Sequence, residues 1–241
     1  MATPKLPTLT QTKYSTVIPS TGKQVSFRAY LIKEERILMK AQESKDSNAI
    51  IRAVIEVINS CTFGTVDAKK LAVYDVEFLF AQLRAKSSGE IVRSTAKCTK
   101  CDHDNEVEIN LSTAKVNTAG ESTVKKTVTL SDTVSVQLKR LTVTDIEKFG
   151  LSTDLTGLDA LTTMIAASIG TITDGDAMHV GEDFSKDDLI AFVDSFSHEH
   201  LEAVQAFIES TPTIAVKTKF ACSHCQTENE HVFKGLASLI G

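Results

Sequence analysis

The sequence predicts an α+β fold, and three features of its residue pattern support that prediction. Apolar residues alternate with polar ones near both ends of the chain, which is typical of short, half-buried strands. Between those stretches apolar residues recur at spacings of three and four, which is typical of amphipathic helices. Two Cys-x-x-Cys pairs, Cys98–Cys101 and Cys222–Cys225, each lie between two alternating segments and therefore on a predicted β-hairpin.

The first 90 residues predict an arm followed by a β-hairpin and a helical unit. Residues 1–13 are polar with two prolines and predict an extended arm. Within residues 14–90, a turn at Pro19–Gly22 is followed by alternation from Gln24 to Leu31, which predicts the second strand of a hairpin. Helical periodicity then predicts three helices, which begin near Lys33, Ser47 and Asp75, with Asp75 as the N-cap of the third.

The cysteine pairs predict two halves of one module that are far apart in sequence. Residues 91–111 and 214–241 predict these halves, each with strands on either side of a cysteine pair. Residues 112–123 are small and polar, so they predict a loop. The whole segment 112–213 predicts an inserted α+β domain, with a strand pair early and mostly helices after residue 141.

The chemistry of the paired cysteines predicts one structural zinc site. Tetrahedral zinc takes four thiolate or imidazole ligands, and the x-x spacing lets one tight turn direct two thiolates at one point. The two segments match at both cysteines and at an Asn-Glu step that begins four residues after the second cysteine, Asn105-Glu106 in one and Asn229-Glu230 in the other. The matching segments favour a zinc-ribbon-like arrangement split by the insertion. The predicted ligands of a structural Zn²⁺ are Cys98, Cys101, Cys222 and Cys225.

Other interpretations of the cysteines stay open at this point. A thioredoxin-like redox pair would need one such motif at a helix start, not two on matched hairpins. Two unconnected thiol pairs, or a site that has lost its metal, would also give this spacing. Ribbon turns often carry glycine after the second cysteine, where φ is positive, whereas this chain has Asp102 and Gln226. His103 and His224 could replace a ligand, but we favour a solvent-facing position for both.

Composition and charge narrow the class of protein. The chain has 241 residues, 42% of them hydrophobic and 24% charged, which is typical of a globular protein with a sizeable core. Its net charge of −5 disfavours DNA or RNA as a partner of the chain as a whole. No run approaches the roughly 18 consecutive apolar residues of a membrane span, and the N-terminus lacks the apolar core of a signal peptide. We therefore expect folding in a cytosol, where thiols stay reduced.

No motif in the sequence indicates an enzyme. Glycine-rich phosphate loops, dinucleotide fingerprints and nucleophile elbows are all missing. Cys61 has no His or Asp close in sequence and predicts a buried thiol. His198-Glu199-His200 predicts a solvated helix start, because residues i and i+2 of a helix do not share a face. Asp174-Gly175-Asp176 predicts a hairpin turn rather than a calcium loop. We expect no catalytic residues and no small-molecule substrate.

Three segments of the chain are similar to one known family. The segments Ile18–Glu35, Tyr74–Glu90 and Cys222–Leu236 resemble the baseplate hub proteins of T-even-like, contractile-tail bacteriophages. The resemblance covers roughly the first 110 and the last 30 residues and does not extend to residues 112–210. It implies a virion or virion-assembly protein of the hub region that acts by protein–protein contacts, without catalysis.

The resemblance also implies where the protein works and with what. We expect other phage baseplate and tail proteins as partners in a symmetric assembly, located in the tail baseplate of the virion and assembled in the host cytoplasm. Nucleic acid and membrane are not expected as partners. The alternative from another class is a zinc-ribbon nucleic-acid-binding or transcription-linked adaptor, and a thiol redox enzyme is a third. The net charge of −5 and the lack of a Lys/Arg cluster at either cysteine pair disfavour the adaptor.

Overall fold

The computed structural model describes residues 9–117, 126–151 and 157–235. Within these residues the protein is α+β, with seven α-helices and small antiparallel sheets, which confirms the α+β part of the predicted fold. Three parts of the predicted organisation lie wholly or partly outside the described residues: the arm over residues 1–8, the loop beyond residue 117 and the end of the second hairpin segment over 236–241.

The N-terminal unit is a β-hairpin with three helices, as the sequence predicts. Strand β1 (Lys13–Val17) pairs antiparallel with β2 (Gln24–Arg28). Helix α1 (Ile32–Ser44) follows directly, and α2 (Ser47–Cys61) begins behind Asp46, whose carboxylate accepts the N–H of Asn48. A short 3-10 turn leads into α3 (Val73–Ser87). The first two helices therefore begin close to where the periodicity places them.

Large side chains fill the core beneath this hairpin. Burial of an aliphatic or aromatic side chain of this size contributes about 1.5–3 kcal/mol relative to exposure, so the unit is stabilised mainly by apolar packing. The buried residues come from the hairpin, α2, α3 and one later position: Ile18, Val25, Phe27, Val54, Ile55, Val57, Ile58, Cys61, Ala68, Val76, Leu79, Phe80, Leu83 and Val143.

A buried ion pair joins the hairpin to α1 and α2. Arg28 Nη2 donates to Glu34 Oε1 at 2.8 Å, and the Ser60 hydroxyl donates to the same oxygen at 2.9 Å. Glu34 Oε2 accepts the backbone N–H of Leu31 at 2.9 Å, which fixes the start of α1 and ends β2 earlier than predicted. Burial alone raises the pKa of Glu34, but the hydrogen bonds from Arg28, Leu31 and Ser60 outweigh it and lower that pKa to about 2.

The start of α3 corrects one prediction. The helix begins at Val73 after Ala72, so Asp75 is not the N-cap but lies fully buried in the first turn. Its carboxylate accepts the backbone N–H of Ser20 at 3.0 Å and also the Ser20 hydroxyl. Asp75 therefore fixes the turn of the hairpin against α3, because a buried carboxylate requires hydrogen-bond donors and the turn supplies them.

The first cysteine pair lies on a hairpin that follows α3. Strand β3 (Ile91–Lys97) pairs antiparallel with β4 (Asp104–Asn110) over seven residue pairs. A 3-10 turn and strand β5 (Lys115–Asn117) come next, so the prediction of a loop from residue 112 is wrong at 115–117. The sequence pattern cannot distinguish this strand from a loop, because its three residues contain only one apolar position.

The next part of the chain forms a four-stranded antiparallel sheet with helices. Its strands, in spatial order, are β6 (Thr127–Thr129), β7 (Val134–Leu138), β8 (Ile169–Asp174) and β9 (Ala177–Val180). Its helices are α4 (Val143–Phe149), α5 (Gly157–Ala167), α6 (Lys186–Val193) and α7 (His198–Glu209). The predicted turn at Asp174–Asp176 joins β8 to β9, and the predicted capping box of Ser185 and Asp188 begins α6.

Contacts tie this part of the chain to the N-terminal unit. Ala72 and Thr142 form an isolated antiparallel bridge just before α3 and α4. Lys69 Nζ lies 2.8 Å from Glu147 Oε2, and Val143 is buried in the first core. The exposed ion pair contributes little by itself, so the buried valine is the stronger of these links.

The second cysteine pair lies on a hairpin that contacts the first. Strand β10 (Thr213–Ala221) pairs with β11 (Glu228–Lys234) and, at its beginning, with β5, which gives the order β11-β10-β5. This sheet and the β3–β4 hairpin share a core in which four of the buried residues are alanines. The core consists of Ala81, Ala85, Val92, Ala96, Val107, Ile109, Leu111, Ala114, Ile214, Val216 and Phe233. Helix α3 supplies residues to this core and to the first, so it lies between the two cores.

Candidate metal centre

The four cysteines of the two pairs occupy matching positions in the two hairpin turns. Cys98 follows β3 and Cys101 precedes β4, while Cys222 follows β10 and Cys225 precedes β11. The first cysteine of each pair is fully buried and the second is half-buried. The turns face each other, so residues 121 positions apart in sequence become neighbours.

The two turns have the same backbone hydrogen bonds. The N–H of Asp102 donates to the carbonyl of Cys98 at 3.0 Å, and the N–H of Gln226 donates to that of Cys222 at 2.9 Å. Asp102 has φ 55° and Gln226 has φ 59°, which is the conformation that favours glycine. The missing glycines, which counted against a metal-binding turn in the sequence, therefore do not prevent either turn from forming.

The sulfur atoms form one compact group. Cys98 Sγ lies 3.6 Å from Cys225 Sγ, and Cys101 Sγ lies 3.7 Å from Cys222 Sγ. Cys101 Sγ is 3.5 Å from Cys225 Sγ, and all four atoms lie within 4.8 Å of one another. Four sulfurs bonded to one zinc ion at 2.3 Å would be about 3.8 Å apart. The donor atoms and their spacing therefore fit a tetrahedral, thiolate-bound metal ion.

The ionisation of these thiols is interdependent. The backbone N–H of Lys100, 3.4 Å from Cys98 Sγ, is the main cause that lowers the pKa of Cys98 to about 6. The backbone N–H of His103 would lower the pKa of Cys101, but burial and the neighbouring thiols outweigh it and raise that pKa to about 12. Thiolates at this spacing repel one another, so a divalent cation would stabilise all four in the ionised form.

Two buried asparagines connect the hairpins across the site. Asn105 Oδ1 accepts the backbone N–H of Ser223 at 2.8 Å and its hydroxyl at 3.0 Å. Asn229 Oδ1 accepts the backbone N–H of Thr99 at 2.9 Å and its hydroxyl at 2.8 Å. Each asparagine is therefore bonded to the residue that follows the first cysteine of the opposite pair.

The sequence contains a signal for these asparagines but not for what they contact. The Asn-Glu step after each pair is the repeated feature, and the residue after each first cysteine carries a hydroxyl in both copies. The repeat does not show that each amide crosses to the other hairpin, because that depends on how the hairpins dock. The glutamates of the repeat, in contrast, are exposed: Glu106 lies on β4 and Glu230 on β11.

A known family matches almost the whole chain, both cysteine hairpins included. Residues 11–241 match the family described as T4 bacteriophage base plate protein. The chain belongs to this family. The match covers the part over residues 112–210 to which the resemblance in sequence does not extend. No curated protein and no solved structure matches the chain.

Membership of the T4 base plate protein family supports a structural role in a phage baseplate. It places the protein in the virion tail and implies contacts with other phage tail proteins. Among the described residues no helix is both long and apolar enough to cross a membrane. The family does not by itself assign a function to any residue, so the cysteine group is the candidate site that the geometry adds.

The fifth cysteine lies apart from this group and is buried, as predicted. Cys61 ends α2 inside the first core, with its sulfur 3.6 Å from Arg28 Nη1. Burial raises the pKa of Cys61 to about 11, although the nearby guanidinium of Arg28 opposes that shift. The Cys61 thiol is therefore protonated at neutral pH and is a poor nucleophile.

The histidines of the sequence lie outside the group of possible ligands. His103 and His224 are exposed beside the cysteines, with ring centroids 5.4 Å apart. Among the described residues, the group of side chains that could hold a metal ion consists of the four cysteines. His198 begins α7 as predicted, is exposed, and lies 3.3 Å from Glu202. His200 Nδ1 accepts the N–H of Ser197 at the N-cap of the same helix.

Proposed function

We propose that the protein is a structural or assembly component of the hub region of a contractile phage tail baseplate. The observation that carries this proposal is the family match over residues 11–241. The protein acts by contacts with other baseplate and tail proteins in a symmetric assembly and has no catalytic residues. Its net charge of −5 supports protein partners over nucleic acid.

The cysteine group is proposed to be a structural Zn²⁺ site in a zinc-ribbon-like module. Cys98, Cys101, Cys222 and Cys225 would supply four thiolates, which is the donor set of closed structural zinc sites. When bound, the ion links the hairpins by bonds far stronger than any hydrogen bond between them. The chain's own residues aim the thiolates, through the backbone hydrogen bonds of the two turns.

The domain organisation remains a proposal of the same kind. We divide the chain into an arm (1–13), an N-terminal unit (14–90), two halves of the cysteine module (91–111 and 214–241) and an inserted α+β domain (112–213). Three apolar clusters within the described residues support this division, while Ala81, Ala85 and Ala114 pack with the cysteine hairpins and Val143 packs in the core of the N-terminal unit. The metal would then join the two ends of the insertion, so that its binding contributes directly to folding.

Metal analysis of the purified protein tests the zinc site. Protein prepared without chelator should contain one zinc ion per chain, and both Cys98→Ser and Cys222→Ser should lose it. Cys61→Ser is the matched control, because it removes a thiol that lies in a different core, and its zinc content should equal that of the parent protein. Finding no metal, or another metal in its place, would contradict the assignment to zinc.

The role in the baseplate is tested by tail assembly without the protein. We expect phage that lack it to accumulate incomplete hubs, and addition of the purified protein should restore assembly. Normal baseplates and normal infectivity without the protein would contradict this role. Salt-sensitive binding to DNA or RNA would instead favour the adaptor.

A further inference from the structure

Asn105 satisfies the polar groups of both hairpin turns at once. Its side-chain oxygen accepts two hydrogen bonds from Ser223 in the second turn, at 2.8 and 3.0 Å. Its Nδ2 donates to the carbonyl of His103 in its own turn at 2.8 Å and lies 3.7 Å from Cys222 Sγ. The side chain is 5% exposed, so nearly all of its hydrogen bonding is to the protein.

Asn229 makes the same set of contacts in the opposite direction. Its oxygen accepts two hydrogen bonds from Thr99 in the first turn, at 2.9 and 2.8 Å. Its Nδ2 donates to the carbonyl of Thr227 at 2.8 Å and lies 3.6 Å from Cys98 Sγ. It is 6% exposed. The contacts of the two asparagines across the cysteine group are thus reciprocal.

A carboxamide is well suited to this position, because it offers an acceptor and a donor on one side chain. The oxygen holds the opposite turn by its backbone N–H. The N–H group is directed at a sulfur, and a hydrogen bond to a thiolate is charge-assisted and stronger than one to a neutral acceptor. Aspartate would keep the acceptor but place a negative oxygen against the thiolate instead of a donor.

We propose that Asn105 and Asn229 are reciprocal positioning residues of the metal centre. Each hairpin supplies the residue that orients a thiolate of the other, so neither cysteine pair has its full affinity for metal until the hairpins dock. Partners of metal ligands orient those ligands, and their substitution typically weakens metal binding 10–100-fold. This inference rests on the proposed metal site, since its effect is exerted through the cysteine ligands.

Asparagine-to-aspartate substitutions test the proposal. Asn105→Asp and Asn229→Asp should each bind zinc about 10–100-fold more weakly than the parent protein in competition with a chromophoric chelator. In protein loaded with Co²⁺, each variant should also shift the sulfur-to-cobalt charge-transfer band, because that band reports the electron density on the thiolates. A purely structural contact would leave the band where it is.

Asn110→Asp is the matched control for these variants. Asn110 ends β4, and its Oδ1 accepts the N–H of Ser112 at 3.0 Å, an acceptor role that aspartate retains. Its zinc affinity and its cobalt spectrum should equal those of the parent protein. If both Asn105→Asp and Asn229→Asp match the parent in affinity and spectrum, the positioning role is wrong while the metal site stands. If the parent protein itself binds no metal, the proposed metal site is wrong and the positioning role is wrong with it.

A measurement on the unaltered chain covers the case in which the variants do not fold. In protein loaded with ¹¹³Cd, a hydrogen bond from an amide to a coordinating sulfur transmits a scalar coupling between the amide proton and the metal nucleus. We expect such couplings from the side-chain amides of Asn105 and Asn229. Couplings to backbone amides alone would overturn the proposal.

Discussion

The N-terminal unit and the two cysteine hairpins hold their strands together in different ways. Around the β1–β2 hairpin the core contains large side chains, among them Ile58, Leu79 and Phe80. Around the cysteine hairpins four of the buried residues are alanines, and the groups that cross between the hairpins are polar. Apolar burial scales with side-chain area, so the second region gains less from packing. A metal ion bound by the four cysteines would therefore stabilise the region that gains less from apolar packing.

Helix α3 is the element that the two regions share. Phe80 faces the first core, while Ala81 and Ala85 face the second. The regions are therefore adjacent but differ in the residues that each buries against the same helix. Substitutions on α3, at the thiolates and at the buried ion pair should therefore distinguish stabilisation by packing in the N-terminal unit from stabilisation by a metal ion at the cysteines.

The largest expected effect follows removal of one ligand. Cys98→Ser should lose the metal and lower the free energy of unfolding by about 5 kcal/mol or more, because structural zinc contributes folding energy directly. Denaturant unfolding followed by circular dichroism measures this, with and without a strong chelator. The chelator should destabilise the parent protein and have no further effect on the variant. Equal stability of the parent protein with and without chelator would contradict a contribution of metal binding to the stability of the cysteine region.

A substitution in the first core should be costly without affecting the metal. Phe80→Ala should lower the free energy of unfolding by about 3–5 kcal/mol, because it leaves a cavity in a tightly packed core. Zinc content should remain at the parent value. Ala81→Leu, one residue away on the other face, is the comparison, since overpacking there costs about 1–3 kcal/mol and acts on the cysteine region. Loss of zinc in Phe80→Ala would show that the two cores are not separable.

The buried ion pair of the N-terminal unit should make the free energy of unfolding depend on pH in the acid range. The folded pKa of Glu34 is about 2, below its ordinary value of 4.5, so its contribution is complete above pH 4.5 and disappears as the pH falls towards 2. Glu34→Gln should cost about 3 kcal/mol at neutral pH and flatten the loss of stability between pH 4.5 and 2. Urea unfolding at several pH values measures both effects. Glu35→Gln, on the exposed side of α1, should change stability by less than about 0.5 kcal/mol.

The smallest expected effect concerns the histidines beside the cysteines. His103→Ala and His224→Ala remove exposed rings that lie outside the cysteine cluster, so we expect full zinc content and a stability change below about 0.5 kcal/mol. Metal analysis and denaturant unfolding of both variants test this. A loss of zinc in either would mean that a histidine replaces one of the four cysteines as a ligand.

The sequence predicts local structure in this protein better than it predicts contacts between distant segments. The hairpins, the capping box of Ser185 and the four cysteines follow from periodicity and spacing, which are local properties. The buried role of Asp75 and the short strand β5 do not, because their partners are Ser20 and β10, far away in the chain. The cross-hairpin contacts of the asparagines have the same character, since a repeat shows that two segments are alike but not that they meet.

Because the cysteine pairs are far apart in the chain, the two halves of the site are synthesised at different times. Cys101 is made 121 residues before Cys222, which at 5–20 residues per second is roughly ten seconds of translation. During that interval the first pair has two thiols and no partners, and the region around β1 to α3 can already fold. The sulfur cluster therefore cannot close before Cys222 and Cys225 have been synthesised. Its closure requires a chain that has reached the second hairpin.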